Sequence, residues 1–165
     1  MAKAAFIDPR TETDIAPART GAAAALAYLA AAPLLAAAVY LVAQDGALPG
    51  GAKIATGFMS LYGAALIVFL GGVRWGVAIM RPEGPTMKSL FGAVLPLFAA
   101  LPLFLPAPPT LAFPAIMALF AIVLIDDLNA TRRGSGAPHW YLAVRTPLTA
   151  LIEISFLVAF VAIIG

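Results

Sequence analysis

The chain has 165 residues, of which 62% are hydrophobic and 11% charged, with a net charge of +2. A soluble domain is nearer half apolar and a quarter charged, so this composition excludes a soluble protein and indicates one that lies in lipid. The sequence contains no cysteine, which excludes disulfides, thiolate metal sites and thiol nucleophiles. No basic patch interleaved with aromatic residues stands outside the apolar runs, so nucleic acid is not an expected partner.

The polar N-terminal region is followed directly by the first long apolar run. Residues 1–20 have mixed charge and contain Pro9 and Pro17, and we predict that they form a flexible cytoplasmic arm. Residues 21–43 carry no charge. At about 1.5 Å per residue they reach about 34 Å as a helix, enough to cross a hydrocarbon core of about 30 Å. They are the first predicted transmembrane span.

The second predicted span, residues 54–80, carries one charged residue, Arg74. A charge at the centre of a membrane helix costs about 2.5–3.5 kcal/mol on insertion scales, so Arg74 needs a partner or a route to water. One route is snorkelling, in which the long stem of arginine carries the guanidinium to the headgroups.

The third and fourth spans come from one uncharged run, residues 89–125, which is too long for a single ordinary crossing. The proline-rich segment 105–110 divides it, so we predict short, proline-broken spans at 89–106 and 110–127. A re-entrant pair of half-helices is the alternative. Both alternatives return the chain to the same side of the membrane.

The fifth predicted span covers residues 143–165 and follows the longest polar connection, residues 126–145. Its one charge away from the ends is Glu153. Carboxylates inside a membrane are rare and are functional candidates by default.

The basic residues are distributed very unevenly between the two sides. Lys53 alone lies on one side, whereas the other side has eight: Lys3, Arg10, Arg19, Arg81, Lys88, Arg132, Arg133 and Arg145. Cytoplasmic loops are enriched in lysine and arginine. We therefore predict a bacterial inner-membrane protein with a cytoplasmic N-terminus and its C-terminus on the far side.

Two of the intramembrane charges fall at similar predicted depths. Arg74 lies about 9 Å below the cytoplasmic face, and Glu153 lies about 12–15 Å from that face on an antiparallel span. We predict an Arg74–Glu153 ion pair within a buried polar cluster that also contains Asp126, Asp127 and Arg145. The pair either holds helices together or serves in proton or solute transport, and contact with a partner protein is a third alternative.

Four glycines of the second span are candidates for close helix packing. Gly72 and Gly76 form a small-xxx-small motif, and Gly63 and Gly71 precede it. Small residues let the backbones of membrane helices approach closely. We therefore predict that these glycines face a neighbouring helix.

Three aromatic residues lie near the predicted cytoplasmic interface: Trp75, Trp140 and Tyr141. Tryptophan and tyrosine are enriched at the level of the headgroups. We interpret these three as interface aromatics.

Catalytic and metal-binding patterns are scarce. Asp126, Asp127 and His139 fit no metal-ligand spacing, and the sequence shows no Ser–His–Asp order, phosphate loop or redox motif. We therefore expect no metal, no cofactor and no enzymatic activity. A weaker alternative is a membrane enzyme that acts on lipid, with these three residues at the interface.

Two stretches resemble a known family. "YGAALIVFLGGVRWG" at 62–76 and "PHWYLAVRTPLT" at 138–149 resemble the multi-pass bacterial membrane proteins of the DUF3429 family, whose eukaryotic relative is transmembrane protein 69. The resemblance covers roughly residues 21–165 and supports five spans, but it implies no activity. Arg74 stands where the resemblance leads us to expect histidine, which argues against a proton relay at this position.

The expected fold is therefore an all-α bundle of five transmembrane helices in the lipid bilayer. The leading functional prediction is a non-enzymatic accessory or assembly partner of a membrane complex, in contact with other membrane proteins. The alternative is a small transporter or proton-coupled carrier that uses Glu153 and Arg74, because broken helices at membrane depth often line substrate sites. The sequence names no small-molecule ligand.

Overall fold

The computed structural model describes residues 17–43, 50–134 and 137–165, and all regular secondary structure in these ranges is helical. The five α-helices are α1 (Pro17–Val42), α2 (Gly51–Ile79), α3 (Met87–Ala100), α4 (Pro109–Arg132) and α5 (His139–Ile164). Five helical segments are long and apolar enough to cross a membrane, which confirms the predicted fold class. Residues 1–16 of the predicted arm lie outside the described residues, and α1 begins within the rest of the arm.

Local sequence signals set the ends of the helices. The Thr86 hydroxyl accepts a hydrogen bond from the Ser89 N–H at 3.2 Å, and the Ser89 hydroxyl accepts one from the Thr86 N–H at 3.0 Å. This reciprocal capping box fixes the first turn of α3. Gly84 has φ +80°, in the left-handed region that glycine adopts most readily, and it allows the tight turn between α2 and α3.

The third span is short and interrupted, as predicted. Its α-helical part ends at Ala100, and a 3₁₀ segment over Leu101–Phe104 contains Pro102. Pro102 lacks an N–H group, so it cannot continue the α-helical ladder. Together the α and 3₁₀ parts rise about 29 Å, close to the thickness of a hydrocarbon core. This length favours a complete crossing over a re-entrant pair of half-helices.

The fourth and fifth helices are longer than predicted at the ends that carry polar residues. Helix α4 contains Pro114 without a break and continues to Arg132, beyond the predicted end at residue 127. Helix α5 begins at His139 rather than near residue 143. The reason is that the charged residues Asp127 and Arg145 have partners on neighbouring helices, so neither helix has to end where the charges begin.

The core lies where α2, α4 and α5 meet. Phe113 and Phe156 pack edge to face with ring centroids 5.1 Å apart, and Ile67, Ile116 and Phe156 are fully buried. Helix α1 packs on α5 and α2, and α3 packs on α2. Large apolar side chains such as Phe69 are exposed on the outer surface, as expected where the surroundings are lipid.

The four predicted packing glycines divide into two pairs. A Cβ atom on Gly63 would lie 2.7 Å from Phe156 Cζ, and one on Gly71 would lie 2.7 Å from the carbonyl oxygen of Ala93. These two glycines permit close helix contacts, as predicted. Gly72 and Gly76 have no described atom within 4 Å of the same position, so the prediction is wrong for this pair. Because residues one apart point about 100° apart, Gly71 faces α3 while Gly72 points outward.

Candidate functional site

A network of charged side chains lies near the end of the bundle where α2 and α4 end and α5 begins. Arg74 Nη2 lies 2.5 Å from Asp126 Oδ2, and Arg74 Nε lies 3.3 Å from Asp127 Oδ1. Arg145 Nε lies 3.1 Å from Asp127 Oδ2. Tyr141 donates its hydroxyl hydrogen to the same Asp127 oxygen at 3.3 Å. Asp127 therefore joins its own helix, α4, to both α2 and α5. We name these five residues the polar cluster.

Burial separates the two neighbouring aspartates. The side chain of Asp127 is 4% exposed, whereas that of Asp126 is 55% exposed. Successive helical residues point about 100° apart, so only Asp127 faces the interior. There it lies between Arg74 and the Arg145 side chain, which is 2% exposed. Two cations thus surround one buried carboxylate, an arrangement that offsets the cost of removing these charges from water.

Arg145 also contacts the next turn of its own helix. Its Nη1 donates to the Thr149 hydroxyl, which itself donates to the Arg145 carbonyl at 3.1 Å. Its Nη2 is buried and has no hydrogen-bond partner in the part of the chain that the structure describes. Both N–H donors of Nη2 are therefore unused within the described residues.

Glu153 does not join the polar cluster. The predicted Arg74–Glu153 ion pair is wrong, because Arg74 pairs with Asp126 and Asp127 instead. Arg74 and the two aspartates lie at similar depths, about 8 Å from the C-terminal ends of the parallel helices α2 and α4, and so they can pair. Arg145 lies at nearly the same depth, about 9 Å from the start of α5. Helix α5 begins earlier than predicted, so Glu153 is about 21 Å from its start. The sequence-based depth of Glu153 was therefore too shallow.

Glu153 instead lines an outward-facing groove between α4 and α5, which we name the α4/α5 groove. The groove has a volume of about 440 Å³, and its walls are mostly small or apolar residues: Met117, Ala118, Ala121, Leu124, Thr146, Thr149 and Ala150. Glu153 Oε1 is buried and has no hydrogen-bond partner among the described residues. Glu153 thus lines a groove whose surface is almost wholly apolar, while its unpartnered oxygen is buried and not exposed on that surface.

A second concavity, which we name the headgroup cleft, opens above the polar cluster between α2, α3, α4 and the start of α5. Its volume is about 450 Å³. The charged residues that line it are Arg74, Arg81, Lys88, Arg133, Asp126 and Asp127. Arg81 donates to the carbonyl of Gly134 at 3.2 Å, which joins the turns that follow α2 and α4. The cleft therefore combines a buried ion-paired floor with a basic rim.

The predicted interface aromatics do not behave alike. Trp75 and Trp140 are exposed on the outside of the bundle, as expected for an aromatic belt. Tyr141 lines the headgroup cleft and belongs to the polar cluster instead. The side chain of His139 lies outside the described residues. Within the described ranges, no group of three His, Asp or Glu side chains is placed to hold a metal ion.

The polar cluster, the α4/α5 groove and the headgroup cleft all lie within the residues that a protein-family model matches. A family model described as a protein of unknown function (DUF3429) matches residues 20–161. The chain belongs to the DUF3429 family. No curated protein and no solved structure matches it. The likeness to transmembrane protein 69 stays a prediction.

Sequence reasoning missed Thr149 of this DUF3429 protein, and it named Tyr141 as an interface aromatic rather than as a member of the polar cluster. The signal was present, because Tyr141, Arg145, Thr149 and Glu153 follow one another at four-residue intervals. Residues four apart are neighbours on a helix surface. The pattern therefore predicts one polar stripe along α5, whose first three members the structure links by hydrogen bonds and ion pairs to each other or to Asp127.

Proposed function

We propose that this DUF3429 protein is a non-enzymatic accessory or assembly protein of the bacterial inner membrane. In this proposal the α4/α5 groove receives a transmembrane helix of a partner protein, and that helix donates a hydrogen bond to Glu153. The observation that carries the proposal is the unpartnered Oε1 of Glu153, which is buried beside the apolar surface of an outward-facing groove.

The chemistry of the groove supports a helical partner. A polar group in hydrocarbon without a hydrogen bond costs free energy, so the Glu153 carboxyl favours an occupant that brings a donor. Ala118, Ala121 and Ala150 leave room for the backbone of another helix to approach. Serine, threonine or asparagine on that helix would satisfy the carboxyl and fit the space that these alanines leave.

The state of the two aspartates supports a non-enzymatic role. Asp126 and Asp127 lie beside the headgroup cleft, where a lipid-modifying enzyme would place its acid and base. Both are engaged in ion pairs with Arg74, and Asp127 also accepts from Arg145 and Tyr141. This arrangement fits a structural network better than a pair of carboxyl groups that exchange protons with a substrate.

A transporter is the second candidate, because one observation favours it. The unused donor Arg145 Nη2 and the unused acceptor Glu153 Oε1 lie on the same polar stripe of α5, with Thr149 between them. Chains of polar groups of this kind carry protons in membrane pumps and transporters. Proton flux in liposomes separates the two candidates, since Glu153→Gln abolishes flux if the carboxyl carries protons.

Cross-linking at the α4/α5 groove is expected to depend on Glu153. A photo-crosslinking residue at Ala150 should form an adduct with one integral membrane protein in intact membranes. Glu153→Leu should lower the yield roughly threefold to thirtyfold, the factor that loss of one interhelical hydrogen bond gives. Glu153→Gln keeps an acceptor and should preserve most of the adduct.

The matched control places the same probe at Ala65, an exposed small residue on the outer face of α2. That position should give no such adduct. The docking proposal fails if the Ala150 adduct is unchanged by Glu153→Leu, or if it contains only lipid or a second copy of this chain. If the Ala150 probe forms no adduct and proton flux in liposomes requires Glu153, the transporter candidate is supported instead.

The proposed orientation has a direct test, because the chain contains no cysteine and any introduced cysteine is therefore unique. Lys53 and Lys88 are exposed; Lys53 lies in the first turn of α2, and Lys88 lies in the first turn of α3, beyond the other end of α2. We expect a membrane-impermeant maleimide to label Lys53→Cys in spheroplasts and Lys88→Cys only in inverted vesicles. The reverse pattern would place the N-terminus on the far side.

A further inference from the structure

We propose that the headgroup cleft binds a phosphate-bearing anion. This site is separate from the α4/α5 groove and does not depend on the proposed docking function. It lies at the opposite end of the polar stripe on α5, and none of its lining residues also lines the groove.

The size and chemistry of the cleft suit such a ligand. Its volume of about 450 Å³ falls within the range of small-molecule sites. The hydroxyl hydrogens of Thr86, Ser89 and Tyr141, which line it, already bond to other groups of the chain. The remaining donors in its lining are the Thr131 hydroxyl and the basic side chains. Phosphate oxygens accept hydrogen bonds from hydroxyl, guanidinium and ammonium groups, so these donors match that class of ligand.

The charge balance of the cleft favours an anion. Four basic and two acidic side chains line it, and both acidic ones are already paired with Arg74. Arg145, behind Asp127, adds a further positive charge to the floor. The exposed side chains of Lys88 and Arg133 therefore face a floor whose carboxylates are already neutralised. An anion that enters meets a net positive field rather than carboxylate repulsion.

The start of α3 adds to this field. Thr86, Lys88 and Ser89 line the cleft and belong to the N-cap and first turn of a 14-residue helix. The N-terminal end of a helix carries a partial positive charge of about half a unit and favours phosphate groups. The C-terminal ends of α2 and α4 line the same cleft and carry the opposite partial charge, so the basic side chains, and not the helix ends, set the sign of the field.

Two sources supply the same phosphate chemistry, a membrane lipid or a soluble phosphorylated molecule. The cleft also has apolar walls, including Val77 and the exposed Phe91, and its floor lies within about two turns of the helix ends. Lipid phosphates lie at this level of the bilayer, and acyl chains would continue along the apolar surface below. The experiment therefore tests an anionic phospholipid and inorganic phosphate in parallel.

The test uses the full chain in mild detergent, stripped of lipid, with bound lipid counted by native mass spectrometry. Phosphatidylglycerol is expected to bind and phosphatidylcholine to bind far less. Each removed cation should weaken phosphatidylglycerol binding about fivefold, so Lys88→Gln with Arg133→Gln should weaken it about twenty-five-fold. Both side chains are exposed, so the variant is expected to keep the elution profile and melting temperature of the parent protein.

Arg132→Gln is the matched control, because Arg132 is exposed and adjacent to Arg133 but does not line the cleft. It should change binding less than twofold, within the spread expected of a screened surface charge. Displacement of phosphatidylglycerol by millimolar inorganic phosphate supports the site and identifies a soluble ligand, whereas retention of the lipid identifies the membrane as the source. Equal losses for Arg132→Gln and the double variant, or equal binding of both lipids with no effect of phosphate, would overturn the proposal.

Discussion

Asp127→Ala is expected to lower the free energy of unfolding by about 3–5 kcal/mol, the largest loss from any single substitution in the polar cluster. Removing this carboxylate leaves the buried Arg145 without its ionic partner and takes one of two partners from Arg74. A buried cation that has lost its counter-charge retains its desolvation cost without the compensating attraction. The fluorescence of Trp75 and Trp140, at the same end of the bundle, reports unfolding as sodium dodecyl sulfate is titrated into mild detergent micelles.

Asp126→Ala is the matched control for this prediction. Asp126 is the neighbouring residue and also pairs with Arg74, but it is more than half exposed. Exposed ion pairs contribute about 0–1 kcal/mol, so the control should cost no more than that. Equal losses for Asp126→Ala and Asp127→Ala would contradict the central role of Asp127. The double variant Asp127→Leu with Arg145→Met should be more stable than Asp127→Ala, because it leaves fewer unpaired charges.

Gly71→Ala is expected to cost about 1–3 kcal/mol, although it adds only one methyl group. The new Cβ would lie 2.7 Å from the carbonyl oxygen of Ala93, a backbone atom that cannot rotate away. Helices α2 and α3 would have to separate, and the loosened contact also includes Pro96, whose ring lies within 4 Å of the same position. The same titration in detergent measures the effect.

Gly72→Ala provides the comparison one residue along the same helix. Its Cβ position has no described atom within 4 Å, so the added methyl group meets no packed neighbour. Alanine is the better helix former by about 1 kcal/mol in a helix interior, and this substitution should be neutral or stabilising. Equal destabilisation of the two variants would show that the contact with Ala93 is not the reason that Gly71→Ala is costly.

The fold class follows from the sequence because hydrophobic length has few solutions in a membrane. Runs of about 18 or more apolar residues must form helices that satisfy their own backbone hydrogen bonds. The break in the third span was also predictable, since Pro102 removes a backbone donor wherever the helix lies. These features depend on local chemistry alone, and the structure confirms them.

The partners of the charges depended on the tertiary structure. The sequence indicated that Arg74 needs a counter-charge and that Asp127 and Arg145 lie near it, and these expectations hold. It paired Arg74 with Glu153 because the start of α5 was placed about four residues too late. An error of one turn shifts a side chain by about 5.4 Å along the helix, more than the reach of an ion pair.

Composition and hydrophobic length therefore determined that this protein is a five-helix membrane bundle with buried charges near one end. Only the tertiary structure decided which carboxylate meets which arginine, which glycine of the adjacent pair faces a neighbour, and that Glu153 lies beside a separate groove. The physical reason is that lipid selects apolar length residue by residue, whereas a contact depends on the rotation and depth of two helices at once. Those two quantities are set by packing across the whole bundle and not by any one segment.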